Sequence, residues 1–177
     1  FVSMNNYAKG FFYDMRYAGA NNFLQQKVYE CDECLLRREV ADALIAANNK
    51  LKTIGFQIKF FDCYRPLDVQ KLMWKIFPNG KYVANPYTTG SIHNRGGAVD
   101  ITLVDISGNE LDMGTTFDFF GLEAHHAYKD LPDTVLANRR LLKSTMESFS
   151  FSAISSEWWH YNFLSSNEYT LSNFKVN

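Results

Sequence analysis

Positions 91–103 of the chain read SIHNRGGAVDITL, a polar turn that two glycines separate from an apolar strand. In the strand, Val99, Ile101 and Leu103 fall on one face, and the smaller or polar side chains of the alternating positions fall on the other. Asp100 places a carboxylate on this second face. Because burying an unpaired carboxylate costs several kcal/mol or more, Asp100 requires a positive partner or a metal ion.

An imidazole precedes this carboxylate at a spacing that needs a break in the backbone. His93 and Asp100 are seven residues apart, an odd offset at which two side chains of one straight strand point in opposite directions. The Gly96-Gly97 pair supplies the break and allows both side chains to converge on one point. A salt bridge from Asp100 to an arginine such as Arg95 is the alternative interpretation, and it involves no metal ion.

A second polar group lies near the end of the chain, where positions 157–160 read EWWH. His93, Asp100 and His160 together are a ligand set for a catalytic metal that keeps one position open for water. Glu157 is then suited to accept a proton, a task that a structural metal site does not have. On a straight strand Glu157 and His160 point apart, so we expect Glu157 in a turn before the strand or the pair on a helix.

The same three ligands allow a competing interpretation as the facial triad of a non-haem iron oxygenase. In such sites the first histidine and the acid tend to lie close together on one strand, and a further glutamate has no task. Glu157 therefore favours hydrolysis.

The rest of the chain predicts three helices and three strands. The helices cover 35–51, a segment opened by Arg65-Pro66 and ended by Pro78-Asn79-Gly80, and 133–147. The strands cover 56–62, 98–103 and 158–163. Since helices and strands mix without a regular βαβα alternation, we predict an α+β fold with a mainly antiparallel central sheet flanked by helices.

Two details of the helices follow from spacing and capping. Asp133 is expected to be the N-cap of the third helix. The predicted buried face of the second helix consists of apolar residues at helical spacing, namely Val69, Leu72, Met73, Ile76 and Phe77.

Composition limits the class of protein. With 18 basic and 19 acidic side chains, the formal charge of -1 excludes a large basic surface for nucleic acid. No apolar run approaches the roughly 18 residues of a membrane span, and the 15 Phe, 10 Tyr and 3 Trp exclude a disordered chain. We expect residues 1–177 to form a single domain. Because the chain begins at Phe1 rather than at a methionine, the removal of a leader stays an open alternative. The compartment, cell envelope or cytoplasm, therefore stays open as well.

The three cysteines are too few for a disulfide scaffold. Cys31 and Cys34 form a C-x-x-C motif without the second pair that a Cys₄ zinc site needs, so we interpret them as ordinary thiols or a local disulfide. Cys63, in an apolar and aromatic stretch, is predicted to be a small buried hydrophobe.

At these motifs the sequence resembles the D-alanyl-D-alanine dipeptidases, zinc enzymes related to the vancomycin-resistance dipeptidases and to the D,D-peptidases with a hedgehog-like zinc fold. The resemblance extends from about position 14 to 163 and rests on five motifs in the family's order. They are DMRYA at 14–18 with NNF at 21–23, DCYRP at 62–66, the 91–100 segment, LDMG at 111–114 with FD at 117–118, and EWWH at 157–160. Cys63 stands where the family usually has alanine.

The resemblance implies a role for each matching residue. His93, Asp100 and His160 would bind one catalytic zinc ion, and Glu157 would act as general base before passing its proton to the leaving amine. Arg65 would stabilise the oxyanion of the tetrahedral intermediate. The alternative for Arg65 is a surface arginine at a helix start, where its charge is mildly unfavourable with the helix dipole.

Three more residues match positions that shape the family's small substrate pocket, namely Tyr17, Ser91 and Asp118. Asp118 is the natural partner for the ammonium group of a dipeptide, and the alternative is a loop carboxylate that caps local amides. His125 and His126 are interpreted as solvated or neighbouring groups rather than as ligands.

The implied activity is zinc-dependent hydrolysis of D-alanyl-D-alanine to two D-alanines in a bacterial cell. On the same fold, a D,D-carboxypeptidase or a peptidoglycan stem-peptide endopeptidase is the alternative. A non-catalytic, zinc-stabilised binding module is a further alternative, against which Glu157 and Arg65 argue because such a module needs neither.

Overall fold

A five-stranded sheet forms the centre of the molecule in the computed structural model, which describes residues 1–175. The strands are β1 (Val2–Ser3), β2 (Phe12–Tyr13), β3 (Leu35–Leu36), β4 (Phe56–Asp62), β5 (Ala98–Asp105), β6 (Phe151–Ala153) and β7 (His160–Phe163). The helices are α1 (Met4–Tyr7), α2 (Arg38–Lys52), α3 (Leu67–Ile76) and α4 (Asp133–Ser148).

The strand order of the central sheet is β2-β4-β5-β7-β6, and β1 pairs with β3 in a separate sheet. β2 runs parallel to β4, whereas the other neighbours are antiparallel. α2 packs against β4, α4 packs against β5 and β6, and the two helices contact each other. The predicted α+β class with a mainly antiparallel sheet is therefore confirmed. Across residues 1–175, no helix has both the length and the apolar character that crossing a bilayer requires.

The register of the three middle strands places polar residues in one row. Asp100 on β5 lies opposite His160 on β7 and opposite Asp62 on β4, next to an irregularity between Phe60 and Asp62. Directly opposed residues on neighbouring strands point to the same face. This row is where the sheet meets the candidate site.

Two predicted boundaries shift by two or three residues, and one predicted cap is wrong. The first helix begins at Arg38 rather than at position 35, because Leu35–Leu36 pairs with Val2–Ser3 as a strand. The last strand begins at His160, since positions 158 and 159 belong to the preceding bend. Asp133 is the first residue of α4, which Pro132 precedes, so the predicted Asp133 N-cap is wrong.

The predicted buried face of α3 is wrong in part. Met73 is buried, but Leu72 is 41% exposed and Ile76 37% exposed. Gln70 is fully buried instead, because its side-chain amide donates to the carbonyl of Ala84 and accepts from Arg65. A polar side chain with both ends bonded can occupy a buried position that the apolar pattern assigns to other residues.

A disulfide joins Cys34 to Cys63, and Cys31 is a free thiol. A local disulfide between Cys31 and Cys34, one of the two interpretations of that motif, is therefore wrong, and so is an ordinary thiol at Cys34. Cys63 is buried as predicted, and it is half of a cystine. The cause is tertiary: the backbone N–H of Tyr64 donates to the carbonyl of Leu35 at 3.0 Å, which brings the β3 segment alongside the end of β4. The bridge ties these two segments together.

Candidate metal centre and substrate cavity

His93 reaches the sheet from a short 3₁₀ turn at Ile92–Arg95. The side chain of Ser91 caps this turn by accepting the backbone N–H of His93 at 3.2 Å. Gly96 ends it with a φ of +70°, in the left-handed region that glycine adopts without strain. The chain then enters β5, so the imidazole and the Asp100 carboxylate meet from either side of the break.

Three ligand atoms from distant parts of the chain cluster together. Nε2 of His93 lies 3.2 Å from Nδ1 of His160 and 3.3 Å from Oδ1 of Asp100. The Nδ1 of His160 lies 2.9 Å from the same oxygen. Zinc ligands at about 2.0–2.1 Å in a tetrahedron are roughly 3.3 Å apart, so the cluster has close to the spacing of one face of such a site. These residues could hold a metal ion.

The other ring nitrogen of each histidine has its own acceptor. Nδ1 of His93 donates to the carbonyl oxygen of Cys63 at 2.7 Å, and Nε2 of His160 donates to Oδ1 of Asn162 at 2.8 Å. Protons held at those positions leave the clustered nitrogens free to act as ligands. The tautomers therefore suit a metal.

Electrostatics favour positive charge at the cluster. Burial lowers the pKa of His160, but the hydrogen bond and charge of Asp100 outweigh it and raise that pKa to about 9. Burial also raises the pKa of Asp100, yet His93 and His160 hold it well below its ordinary value. Arg95 donates instead to the backbone carbonyls of Thr89 and Tyr169. The alternative of an Asp100–Arg95 salt bridge is wrong.

Glu157 lies in the turn between β6 and β7, the first of the two arrangements that the sequence allowed. Its neighbours Trp158 and Trp159 are buried, and the indole N–H of Trp158 donates to Oγ1 of Thr115 at 2.7 Å, which fixes the turn. Burial raises the pKa of Glu157, His160 opposes the shift, and Asp100 adds to it. A carboxylate of raised pKa is a stronger base.

Arg65 is buried, so the surface alternative for it is wrong. Its guanidinium donates to Oδ2 of Asp62 at 2.6 Å and to Oε1 of Gln70 at 2.8 Å, and lies 5.2 Å above the ring of Tyr17. Burial lowers the pKa of Arg65, but Asp62 and Tyr29 raise it well above its ordinary value. Arg65 is therefore a fixed cation.

All eight candidate site residues border one cavity of about 300 Å³. Beside the ligands, Glu157 and Arg65, the walls include Tyr17, Ser91 and Asp118. The hydroxyl of Tyr17 donates to Oδ2 of Asp118 at 2.9 Å. Asp118 has a φ of +60°, and burial, followed by the charge of Asp100, raises its pKa well above the ordinary value. The hydrogen bond from Tyr17 and the charge of Arg65 oppose this rise in pKa without cancelling it.

His125 and His126 lie outside the ligand cluster. His125 borders a neighbouring cavity, and the backbone N–H of His126 donates to the carbonyl of Ser155. Burial, followed by Lys143, lowers the pKa of His126 to about 4.

The supporting residues Asp62, Gln70, Tyr29 and Asn162 were not among the sequence candidates. Asp62 gives the clearest missed signal, since it is a carboxylate closing an apolar strand three residues before Arg65. The hydroxyl of Tyr29 donates to Oδ1 of Asp62 at 2.6 Å. Gln70 and Asn162 have no comparable signal.

A metal-ligand cluster beside a basic carboxylate and a buried cation is the arrangement of a metallopeptidase. The chain belongs to the D-ala-D-ala dipeptidase family, whose model matches residues 1–176. It is 36% identical over 158 residues to a D-alanyl-D-alanine dipeptidase of Escherichia coli (strain K12), covering 89% of this chain and 81% of that protein. An Enterococcus faecium protein of the same name is 31% identical over 181 residues, covering 91% and 90%.

The fold also matches a solved structure. The LdcB LD-carboxypeptidase superposes with a TM-score of 0.50 at 21% identity, covering 79% of this chain and 67% of that one. At this identity the likeness shows a shared fold.

Proposed function

We propose that this protein hydrolyses D-alanyl-D-alanine to two D-alanines with one zinc ion held by His93, Asp100 and His160. The observation that carries the proposal is the spacing of 2.9–3.3 Å among their three ligand atoms on the wall of a cavity that Glu157 and Arg65 also border. Zinc bound there would lower the pKa of water toward neutrality and polarise the scissile carbonyl.

Glu157 is the proton carrier of the proposed reaction. Its raised pKa allows it to take a proton from the attacking water and to give that proton to the nitrogen of the breaking peptide bond. Because Trp158 and Trp159 are anchored in the core, the carboxylate keeps its place through both transfers.

Arg65 stabilises the negative charge that develops on the carbonyl oxygen. Asp62 and Gln70 hold its guanidinium, so little reorganisation accompanies the charge development. A pre-positioned cation of this kind acts mainly on the transition state.

The substrate's ammonium group is assigned to Asp118, with Tyr17 orienting that carboxylate and Ser91 lining the cavity. The approach of an ammonium ion would stabilise the ionised form of a carboxyl whose pKa burial raises. A cavity of about 300 Å³ is at the small end of ligand sites, which favours a dipeptide over a stem peptide.

Glu157→Gln tests the assignment, because it keeps the shape of the side chain and removes the base. We expect unchanged zinc content and a fall of about 10²–10⁴-fold in the kcat/KM for D-alanine release. Glu147→Gln, on the exposed side of α4, is the matched control and should keep full activity. Equal activity of Glu157→Gln and wild type removes Glu157 from the reaction.

A stem pentapeptide ending in D-Ala-D-Ala separates the related activities. Faster release of D-alanine from this peptide than from the free dipeptide would replace the dipeptidase by a D,D-carboxypeptidase. Zinc binding without release from either peptide would favour the non-catalytic module.

A further inference from the structure

Two cavities share a wall at the substrate site. The second cavity, of about 270 Å³, borders Glu157, Tyr82 and Phe120, which also border the first. The Glu157 carboxylate and the two aromatic rings are therefore part of the wall between the two cavities.

The two rings are stacked closely enough to exclude a peptide between them. The ring centroids of Tyr82 and Phe120 are 4.2 Å apart with an interplanar angle of 19°, and the hydroxyl of Tyr82 donates to the carbonyl of Phe120 at 3.5 Å. Phe23 and Phe77 support Phe120 at centroid distances of 5.0 and 5.9 Å. We call the paired rings of Tyr82 and Phe120 the Tyr82–Phe120 stack.

The stack joins two loops that are far apart in the sequence. Tyr82 lies between α3 and the turn that carries His93, whereas Phe120 lies between β5 and α4. Beyond the stack, the second cavity is bordered by Phe119 and Leu122, which are 40% and 67% exposed. Its wall is therefore partly apolar and open to the outside, as a subsite for a small side chain would be.

The stack is placed near the amino side of the proposed substrate by Phe23, whose ring packs against both Phe120 and Tyr17. Asp118, the assigned partner of the ammonium group, is two residues before Phe120 in the same loop. A peptide that continued beyond that ammonium group would meet the stack first and the second cavity behind it.

We propose that the Tyr82–Phe120 stack sets the length of the substrate by closing the amino end of the substrate cavity against a second cavity that would hold one more residue. This inference rests on the proposed function. Its consequence is that a dipeptide fits in the substrate cavity with the rings stacked, whereas a peptide extended at its amino end requires the rings to separate.

Tyr82→Leu and Phe120→Leu, singly and together, test the stack with three peptides: D-Ala-D-Ala, Gly-D-Ala-D-Ala and D-Ala-D-Ala-Gly. D-alanine release gives kcat/KM for each. In the wild type we expect the amino-extended tripeptide to be at least about tenfold poorer than the dipeptide, and the leucine variants to raise the tripeptide-to-dipeptide ratio by about tenfold or more. The ratio for the carboxyl-extended peptide should not change.

Two further variants act as controls. Tyr82→Phe keeps the ring and should keep the wild-type ratio, and Tyr87→Leu, in the same loop and 71% exposed, should do the same. If the leucine variants do not fold, equal kcat/KM for the dipeptide and the amino-extended tripeptide in the wild type still overturns the inference.

The possible failures are distinguishable. A wild-type protein that releases no D-alanine from the dipeptide contradicts the proposed function and this inference together. Equal kcat/KM for dipeptide and amino-extended tripeptide in the wild type, an unchanged ratio in folded leucine variants, or a gain confined to the carboxyl-extended peptide overturns the role of the stack and leaves the dipeptidase activity standing.

Discussion

The two histidines of the cluster each use one ring nitrogen to hold their position and present the other to the cavity. For His93 the acceptor is a backbone carbonyl, which no side-chain substitution removes. For His160 the acceptor is the side chain of Asn162, so that hydrogen bond can be tested directly.

Asn162→Ala should weaken zinc binding by about 10–100-fold, because His160 loses the acceptor that fixes its tautomer and ring orientation. Competition with a chromogenic chelator measures the affinity. Asn162→Asp retains an acceptor and should stay close to wild type, as should Asn49→Ala on the exposed side of α2. An Asn162→Ala protein with wild-type affinity would show that His160 needs no such support.

The convergence of the candidate ligands was predictable from residue types, but the residues that support them were not. Two imidazoles and a strand carboxylate indicate metal binding wherever they converge. The pairing of Asp62 with Arg65, by contrast, depends on how β4 ends and how α3 begins. That geometry is tertiary, and for the same reason a surface position for Arg65 stayed open as an alternative in the sequence.

At the scale of elements, the loop of residues 121–128 is joined to the β6–β7 turn through His126. Its backbone N–H donates to Ser155, two residues before Glu157. Burial, followed by Lys143, Arg139 and Lys129, lowers the pKa of this imidazole from the ordinary 6.5 to about 4. Folding therefore keeps it neutral at mildly acidic pH.

His126→Gln should make the protein less sensitive to acid. Between about pH 6.5 and 4 the unfolded chain binds a proton at His126 that the folded chain does not, so wild-type stability is complete above this window and falls as the pH drops through it. Urea midpoints at about pH 7.5 and about pH 4.5 measure the effect. The decrease in urea midpoint from the higher to the lower pH should be smaller in His126→Gln than in wild type or in the control His125→Gln. Equal decreases in all three proteins would contradict the role of His126.

Hydrophobic periodicity predicted where the helices and strands lie better than it predicted which of their faces are buried. β4 was predicted with its exact bounds and β5 within two residues at its end, since alternation is a local property of the sequence. The buried face of α3 was not predicted correctly, because Arg65 and Ala84 provide hydrogen-bond partners that let Gln70 occupy a buried position there. Side-chain partners of this kind come from other elements.

At the scale of the whole molecule, the Cys34–Cys63 disulfide links the amino-terminal segments to the central sheet. The Cys63 carbonyl is also the acceptor for His93, so the bridge lies directly behind the candidate metal centre.

Replacing both bridged cysteines with alanine should lower the free energy of unfolding by roughly 3–4 kcal/mol, the value expected for closing a loop of this sequence separation, 29 residues. Urea unfolding without reductant gives the difference. Reductant should destabilise the wild type and leave the double variant unchanged, and Cys31→Ser should behave as wild type. A wild type that is insensitive to reductant under denaturing conditions would contradict the pairing.

The separation of the candidate ligands along the chain determines when the candidate metal centre can form during synthesis. His160 is 60 residues after Asp100 and 67 after His93, and it arrives with β7, the strand that pairs with both β5 and β6. A nascent chain that has not yet released β7 from the ribosome has two of the three ligands. Capture of the proposed metal ion would therefore mark the completion of the sheet.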